Sequence, residues 1–358
     1  MSRHDCHFFT FALQYNTKWM RQQNESRSLW SLLTKVGLDW FILALMGMIL
    51  LAYLLPSPGV QKGLFSLKEV ANYGISLIFF FYGLRLSPQR LREGLSNWHL
   101  HLTVQLATFV LFPLLILGII HLLHVESTNL IWLGVFFVAA LPSTVSSSVV
   151  MVSIAGGNIP GAIFNASISA LIGVFITPIW MGIFIASGSG HIDLSAIILK
   201  LMLQVLFPVV LGLLLHSKLG AFAERHRKQL RYFDQTIILL IVYTAFCQSF
   251  AEHMFSNHTI SDILLLGLGM VSIFFLMFGL ITIIGKILHF SREDNITAVF
   301  CGSKKSLVHG SVMSKVLFPN SAAAGIILLP LMIYHALQLI SASVIAQRMA
   351  RKKNETIN

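Results

Sequence analysis

Charge is scarce in this chain. Lys, Arg, Asp and Glu make up 11% of its 358 residues, where soluble domains carry about 25%. With 56% apolar residues and a mean hydropathy of +0.77, that scarcity excludes an ordinary water-soluble domain and implies an integral membrane protein. Acid is scarcer than base, 14 residues against 25, for a net charge of +11. The basic residues lie in short clusters between apolar runs, as in cytoplasmic loops, so nucleic acid is not the expected partner. Cysteine is also sparse. Cys6, Cys247 and Cys301 form no CxxC pair and give no disulfide or metal framework. Nothing matches GxxxxGK[ST], which argues against an ATP-driven pump. No nucleophile–base set is visible, and His99 and His101 lack further ligands at metal spacing, so neither an enzyme nor a metal centre is expected. Residues 1–35 lack the compact apolar core of a cleavable signal. They read as a cytoplasmic extension, either disordered or resting on the membrane through Phe8, Phe9, Phe11 and Trp19.

Long apolar runs are what the chain has in abundance. A bilayer needs about 20 residues per helix. Ten runs meet or approach that: 36–55, 70–86, 99–123, 130–154, 160–186, 194–216, 233–250, 260–290, 296–318 and 321–346. The even-numbered connections hold Arg90 and Arg92, then Lys218, Arg225, Arg227, Lys228 and Arg231, then Lys286 and Arg292. The odd-numbered ones hold Lys62 and Lys68, with Lys315 near one end. Positive charge marks the cytoplasmic side, so both termini are expected there. The basic tail, 349–358, would be cytoplasmic.

The polar residues inside these runs are the candidates for chemistry. Lys304 and Lys305 lie in the ninth run between Ser303 and Ser306, just after Gly302. A lysine near the bilayer centre costs about 2.5–3.5 kcal/mol on insertion scales, so such residues are functional candidates by default. In the fourth run, Pro142 is followed by Ser143, Thr144, Ser146, Ser147 and Ser148. The two interruptions are about 160 residues apart, close to the shift from the first run to the sixth, which suggests inverted repeats 36–186 and 194–346. Freed carbonyls and hydroxyls suit a sodium ion, and half-helix N-termini suit an anion. Asn165, Ser167 and Ser169 in the fifth run, with Gln105 and Thr108 on one face of the third, can complete such a set. Each of these can equally be an interhelical hydrogen bond. His309 and His335 are either proton gates or satisfied donors. Asp234-Gln235-Thr236 reads as fixing a helix end.

These stretches also carry a resemblance. Phe300-Cys301-Gly302-Ser303-Lys304-Lys305-Ser306-Leu307, Tyr82-Gly83-Leu84-Arg85-Leu86-Ser87 and Leu141-Pro142-Ser143-Thr144-Val145 resemble motifs of the bile acid:sodium symporter family. Ala155-Gly156-Gly157-Asn158, Asp234-Gln235-Thr236 and Leu329-Pro330-Leu331-Met332-Ile333-Tyr334-His335 add to it. Within that family the chain is similar to the bacterial branch near the orphan member 7 of solute carrier family 10. The resemblance implies an all-α membrane protein of ten transmembrane helices in two inverted five-helix repeats, a panel and a core domain, with broken helices four and nine crossing. In sodium-coupled members two sodium sites flank that crossing. Their ligands would fall around Ser148 and Val149, around Ala166 and Ser167, and near Thr108. On the ninth run the sodium-binding glutamate falls at Phe300 and the glutamine at Lys304, so this sequence departs from the pattern there. A lysine ammonium can replace a sodium ion's charge or pair directly with substrate.

The expected function is a secondary active transporter, a sodium-coupled symporter of a small organic anion such as a bile-acid-like or other carboxylate or sulfated solute. A sodium-independent or proton-coupled carrier, or a non-transporting regulator that keeps the fold, is the alternative. Thr108, Ser146, Ser147, Ser148, Asn165, Ser167, Ser303, Lys304, Lys305 and Ser306 are the expected cation or substrate contacts, with Gln105, His309 and His335 secondary. Pro142 and Gly302 would permit the breaks. Sodium is the one ion implied, as a coupling ion, and no cofactor is expected. Membrane lipid is the other expected partner, and the expected location is the bacterial inner membrane. Oligomeric state is not legible.

Overall fold

A computed structural model describes residues 40–61, 66–85, 97–126, 129–186, 199, 202–256, 259–318 and 322–357. Lys200, Asp193 and Asp39 lie outside the described residues, as do 1–35, Lys62, Arg90 and Arg92. The described chain is all helical. In order, the helices are α1 Trp40–Leu54, α2 Ser57–Val60, α3 Leu67–Arg85, α4 Trp98–Leu122 with a π turn at Ala107–Leu111, α5 Leu130–Ala140, α6 Ser146–Ala155 and α7 Ile159–Ala186. Then come α8 Phe207–Leu214 behind a π turn at Met202–Leu206, α9 His216–Arg225, α10 Arg227–Ala251, α11 Ile260–Ile287, α12 Arg292–Gly302, α13 Leu307–Leu317 and α14 Ala324–Ile357. Among the described residues, α4, α7, α10, α11 and α14 are each long and apolar enough to cross a bilayer. The segment Met202–Leu214 with α9 becomes a sixth if that pair, bent by 97°, counts as one span.

Local chemistry sets these boundaries. Asn97, Asn129, Thr259, Ser291 and Ser306 each accept a backbone N–H in the first turn of the helix they precede. Thr259 and Asp262 complete a reciprocal capping box. Helix α6 ends at Gly156, whose φ of 74° is the left-handed value a side chain resists, and Gly157 N–H closes back onto Val152 C=O at 2.8 Å. The outward faces are apolar: α11 exposes Leu264, Leu265, Leu268, Phe275, Ile283 and Ile287. An apolar surface of this extent suits hydrocarbon and not water.

Contacts sort the helix ends into two groups. The Asp294 carboxylate at the start of α12 accepts from Asn97 Nδ2 and Asn158 Nδ2, both at 2.8 Å. Arg292 donates to Met349 C=O at 3.2 Å. Arg85 at the end of α3 pairs with Asp234 at 2.8 Å, and the rings of Trp40 and Tyr232 lie 6.0 Å apart. At the other ends, Tyr243 donates to Leu55 C=O at 2.6 Å, and Ser249 Oγ bonds Ala322 C=O and Gly325 N–H.

Two sequence expectations change here. Asp234 was read as fixing a helix end, yet it lies a third of the way along α10, which begins at Arg227, ahead of the expected 233. Its role there is the ion pair to Arg85. The basic residues 218–231 are expected in a connection, whereas Lys218 and Arg225 lie on the separate amphipathic helix α9 and Arg227, Lys228 and Arg231 in the first turns of α10. Helix α14 continues through residues 349–357.

Candidate functional site

The fourth apolar run breaks between Ala140 and Ser146, and the ninth between Gly302 and Leu307. The breaks meet: Ser306 N–H donates to Pro142 C=O at 3.0 Å, and Ser148 Oγ donates to Phe300 C=O at 3.1 Å. Backbone groups freed inside a membrane protein need partners, since hydrocarbon offers none. Several of these partners are side chains of neighbouring helices. Thr177 Oγ1 donates to Ala140 C=O at 2.7 Å, and Ser143 N–H donates to Ser169 Oγ at 3.0 Å. Tyr334 donates to Ser303 C=O at 2.6 Å. The Gln338 amide takes Lys305 N–H on Oε1 at 2.8 Å and gives Nε2–H to Lys305 C=O at 2.7 Å. The breaks are thus braced by α7 and α14.

Lys305 accounts for two more carbonyls of the fourth-run break and one of α4. Its Nζ donates to Thr108 C=O at 2.8 Å, Ala139 C=O at 2.7 Å and Leu141 C=O at 2.8 Å. The Phe112 ring centroid is 4.4 Å away, and the side chain is fully buried. Three acceptors need three N–H donors. A neutral amine has only two, so the geometry is that of the ammonium. Helix α4 supplies its carbonyl for a local reason. In the π turn Phe112 N–H bonds Ala107 C=O, and Pro113 has no N–H to give. That leaves Thr108 C=O for Lys305 and Phe109 C=O for Trp180 Nε1, at 2.8 Å.

Lys304 is equally buried but differently served. Its Nζ donates to Ser147 Oγ at 2.8 Å, the one hydrogen bond it makes among the described residues. From there a chain of hydroxyls runs one way. Ser147 donates to Thr144 Oγ1 at 2.9 Å, and Ser148 spends its proton on Phe300 C=O. The 2.7 Å contact between Thr144 and Ser148 is therefore donated by Thr144. Among the described residues neither lysine has a carboxylate partner, and two of Lys304's three N–H donors are unpaired.

The remaining sequence candidates fall around this centre unevenly. Gln105 Nε2 donates to Asn165 C=O and Asn165 Oδ1, each at 3.2 Å, while Gln105 Oε1 is buried without a partner. Thr108 takes part through its carbonyl, because its hydroxyl donates back to Val104 C=O at 2.8 Å. Ser303 Oγ likewise donates to Val299 C=O. Ser306 caps α13, accepting from His309 N–H, and pairs with His309 Nδ1 at 2.9 Å. His335 Nδ1 accepts from Gln338 Nε2 at 3.1 Å. Ser167 offers its carbonyl to Tyr82 OH at 3.2 Å. Ser146 is exposed and shares in none of these bonds. Gly302 provides close approach and not a left-handed turn: a Cβ there would lie 2.9 Å from Ile281 Cδ1. Thr177 and Phe112 were missed, since both look like ordinary residues of a packed span. Pro113 was the available signal for the carbonyl of Thr108.

Comparison with known proteins places the chain as a whole. An uncharacterized protein of Pseudomonas aeruginosa is 43% identical over 320 residues, covering 88% of this chain and 94% of that one. The proposed symporter YfeH of Escherichia coli strain K12 is 36% identical over 322 residues, covering 89% and 95%. Sodium/bile acid cotransporter 7 of Rattus norvegicus is 32% identical over 320 residues, covering 88% and 93%. The functionally named relatives are transporters and not enzymes. With several apolar helices, the described chain is that of a multi-pass membrane protein. A model of the SBF-like CPA transporter family matches residues 39–351, nearly the whole described chain, and the chain belongs to that family.

Proposed function

We propose that this chain is a secondary transporter of a small organic anion working by alternating access. In this reading ten spans form two inverted five-helix repeats, 36–186 and 194–346, and spans four and nine cross at their breaks. The supporting observation is Lys304: a fully buried side chain at the junction of the two breaks, held among the described residues by Ser147 alone and with no described carboxylate beside it. A buried cation without a fixed counter-charge is expensive. An anionic substrate supplies such a counter-charge on arrival. Carboxylate, sulfate and sulfonate groups are the matching chemistry, because each accepts several N–H donors at once. Thr144, Ser147 and Ser148 line the same place.

A second reading, coupling to one sodium ion, has its own support. The hydroxyls of Thr144, Ser147 and Ser148 with the Phe300 carbonyl are oxygen donors of the right kind. The relative in Rattus norvegicus carries sodium and bile acid in its name. Two sodium ions are not part of this proposal, since among the described residues two lysines and no carboxylate stand at the junction.

The inner membrane is the proposed location, with both chain ends cytoplasmic. The helix ends that gather around Asp294, Asp234 and Met349 are those beside Lys218, Arg225, Lys286 and Arg292. Positive charge there favours the inside. Uptake by purified protein in liposomes tests the function. A panel of organic anions is offered with and without imposed sodium or proton gradients. Gradient-driven accumulation of at least one anion is expected. Folded protein that moves none of them would instead be a regulator on a transporter fold.

A further inference from the structure

The ammonium of Lys305 occupies a place that the backbone has built for a cation. Three carbonyl oxygens converge on it, and none has a helical partner. Thr108 C=O is released by the π turn and by Pro113. Ala139 C=O and Leu141 C=O lie at the C-terminal end of α5, where the chain leaves the helix. A helix C-terminus carries the negative end of the macrodipole, about half an elementary charge. Unwound carbonyls beside such an end are the usual ligands of a monovalent cation in a broken-helix transporter. The face of Phe112 closes the fourth side at 4.4 Å, and aromatic faces attract cations. No side-chain donor from any other described residue competes for these three oxygens.

We infer that this is a monovalent-cation site whose occupant is tethered: the Lys305 ammonium stands where a free ion would otherwise bind. The tether joins the ninth run to α4 and α5 through one point charge, so the site is permanently filled and needs no ion from solution. It also separates the two lysines by task. Lys305 has all three N–H donors engaged and none left for a substrate, which leaves Lys304 as the lysine able to meet one. The inference concerns cation binding alone, so it stands or falls independently of whether transport is observed.

Removing the tether tests it. In purified K305A the carbonyls remain while the ammonium is gone, and thermal unfolding is followed in sodium, potassium, methylammonium and choline chlorides at equal concentration. A small cation is expected to fill the vacated place and raise the melting temperature saturably, by about 4 °C over choline. Wild-type protein should show no such preference, because its site is occupied. K305S, which leaves one hydroxyl donor among the carbonyls, is measured beside K305A in case the alanine variant does not fold. Variant protein that can be purified only when a small cation is present counts as the same result. Equal unfolding of both variants in all four salts, or failure to purify either in any salt, overturns the inference.

Discussion

Lys305 and Lys304 are neighbours in sequence, yet the oxygens around them differ in kind. Lys305 faces three backbone carbonyls, and Lys304 faces one hydroxyl in a string of hydroxyls. This difference gives an unusual mutational order at Lys305. In most cores a larger apolar replacement is kinder than alanine, because it leaves a smaller cavity. Here methionine fills the space without a donor and strands three buried carbonyls, each costing about 1–3 kcal/mol. Alanine leaves room for an ion or water to serve them. K305M is therefore expected to unfold at a lower temperature than K305A in sodium-containing buffer. A calorimetric or fluorescence melt that ranks them the other way contradicts the cage. Composition made the two lysines conspicuous, but it could not show which oxygens they meet. Two of the relevant groups are carbonyls of Ala139 and Leu141, and a backbone oxygen has no letter in the sequence. Thr108 drew attention for its hydroxyl and takes part through its carbonyl.

At the level of elements, the broken helices hold because intact neighbours satisfy them. Gln338 replaces both halves of a lost helical pairing at Lys305, and Thr177 and Tyr334 each serve one carbonyl. Gln338→Leu orphans a buried N–H and a buried C=O together. The expected loss is about 2–6 kcal/mol of stability, the sum of two unsatisfied groups. Parallel melts of Q338L and Q338E measure it. Glutamate retains an acceptor for Lys305 N–H and should lie between the wild type and Q338L, whereas equal melts for all three would mean that the brace is dispensable. The breaks themselves were legible, because Pro142, Gly302 and polar runs interrupt otherwise apolar segments. The brace was not, because a single Thr or Gln in a membrane helix looks the same whether it bonds a neighbouring helix, faces a cavity or bonds its own turn. The extent of α10 was misjudged for a related reason. Its first turns are polar, and hydropathy marks where a helix enters hydrocarbon, not where it begins.

For the whole molecule, the helix ends form two groups, and the proposed topology assigns one to each side of the membrane. Lys218 on α9 belongs with the ends near Asp234, and Glu252 follows α10 at the opposite end. Single cysteines at these places, in a background without the native three, should react with a membrane-impermeant thiol reagent from opposite sides. K218C is expected to react in inside-out vesicles and E252C in intact cells. Reaction of both from one side would dismantle the topology. The five helices long enough to span, α4, α7, α10, α11 and α14, were readable because their apolar runs are long. The proposed orientation rests on the few basic charges at one group of ends, two of which the contact of Arg292 with Met349 brings together.

The central claim is that Lys304 carries the charge that meets the transported anion. Initial uptake rates for wild type and K304Q, reconstituted side by side in liposomes with matched folded protein, test it most directly. Glutamine keeps a donor for Ser147 and removes the charge, so uptake should fall by at least about tenfold, the effect of losing roughly 1.4 kcal/mol of interaction. Equal uptake by the two proteins would contradict the account.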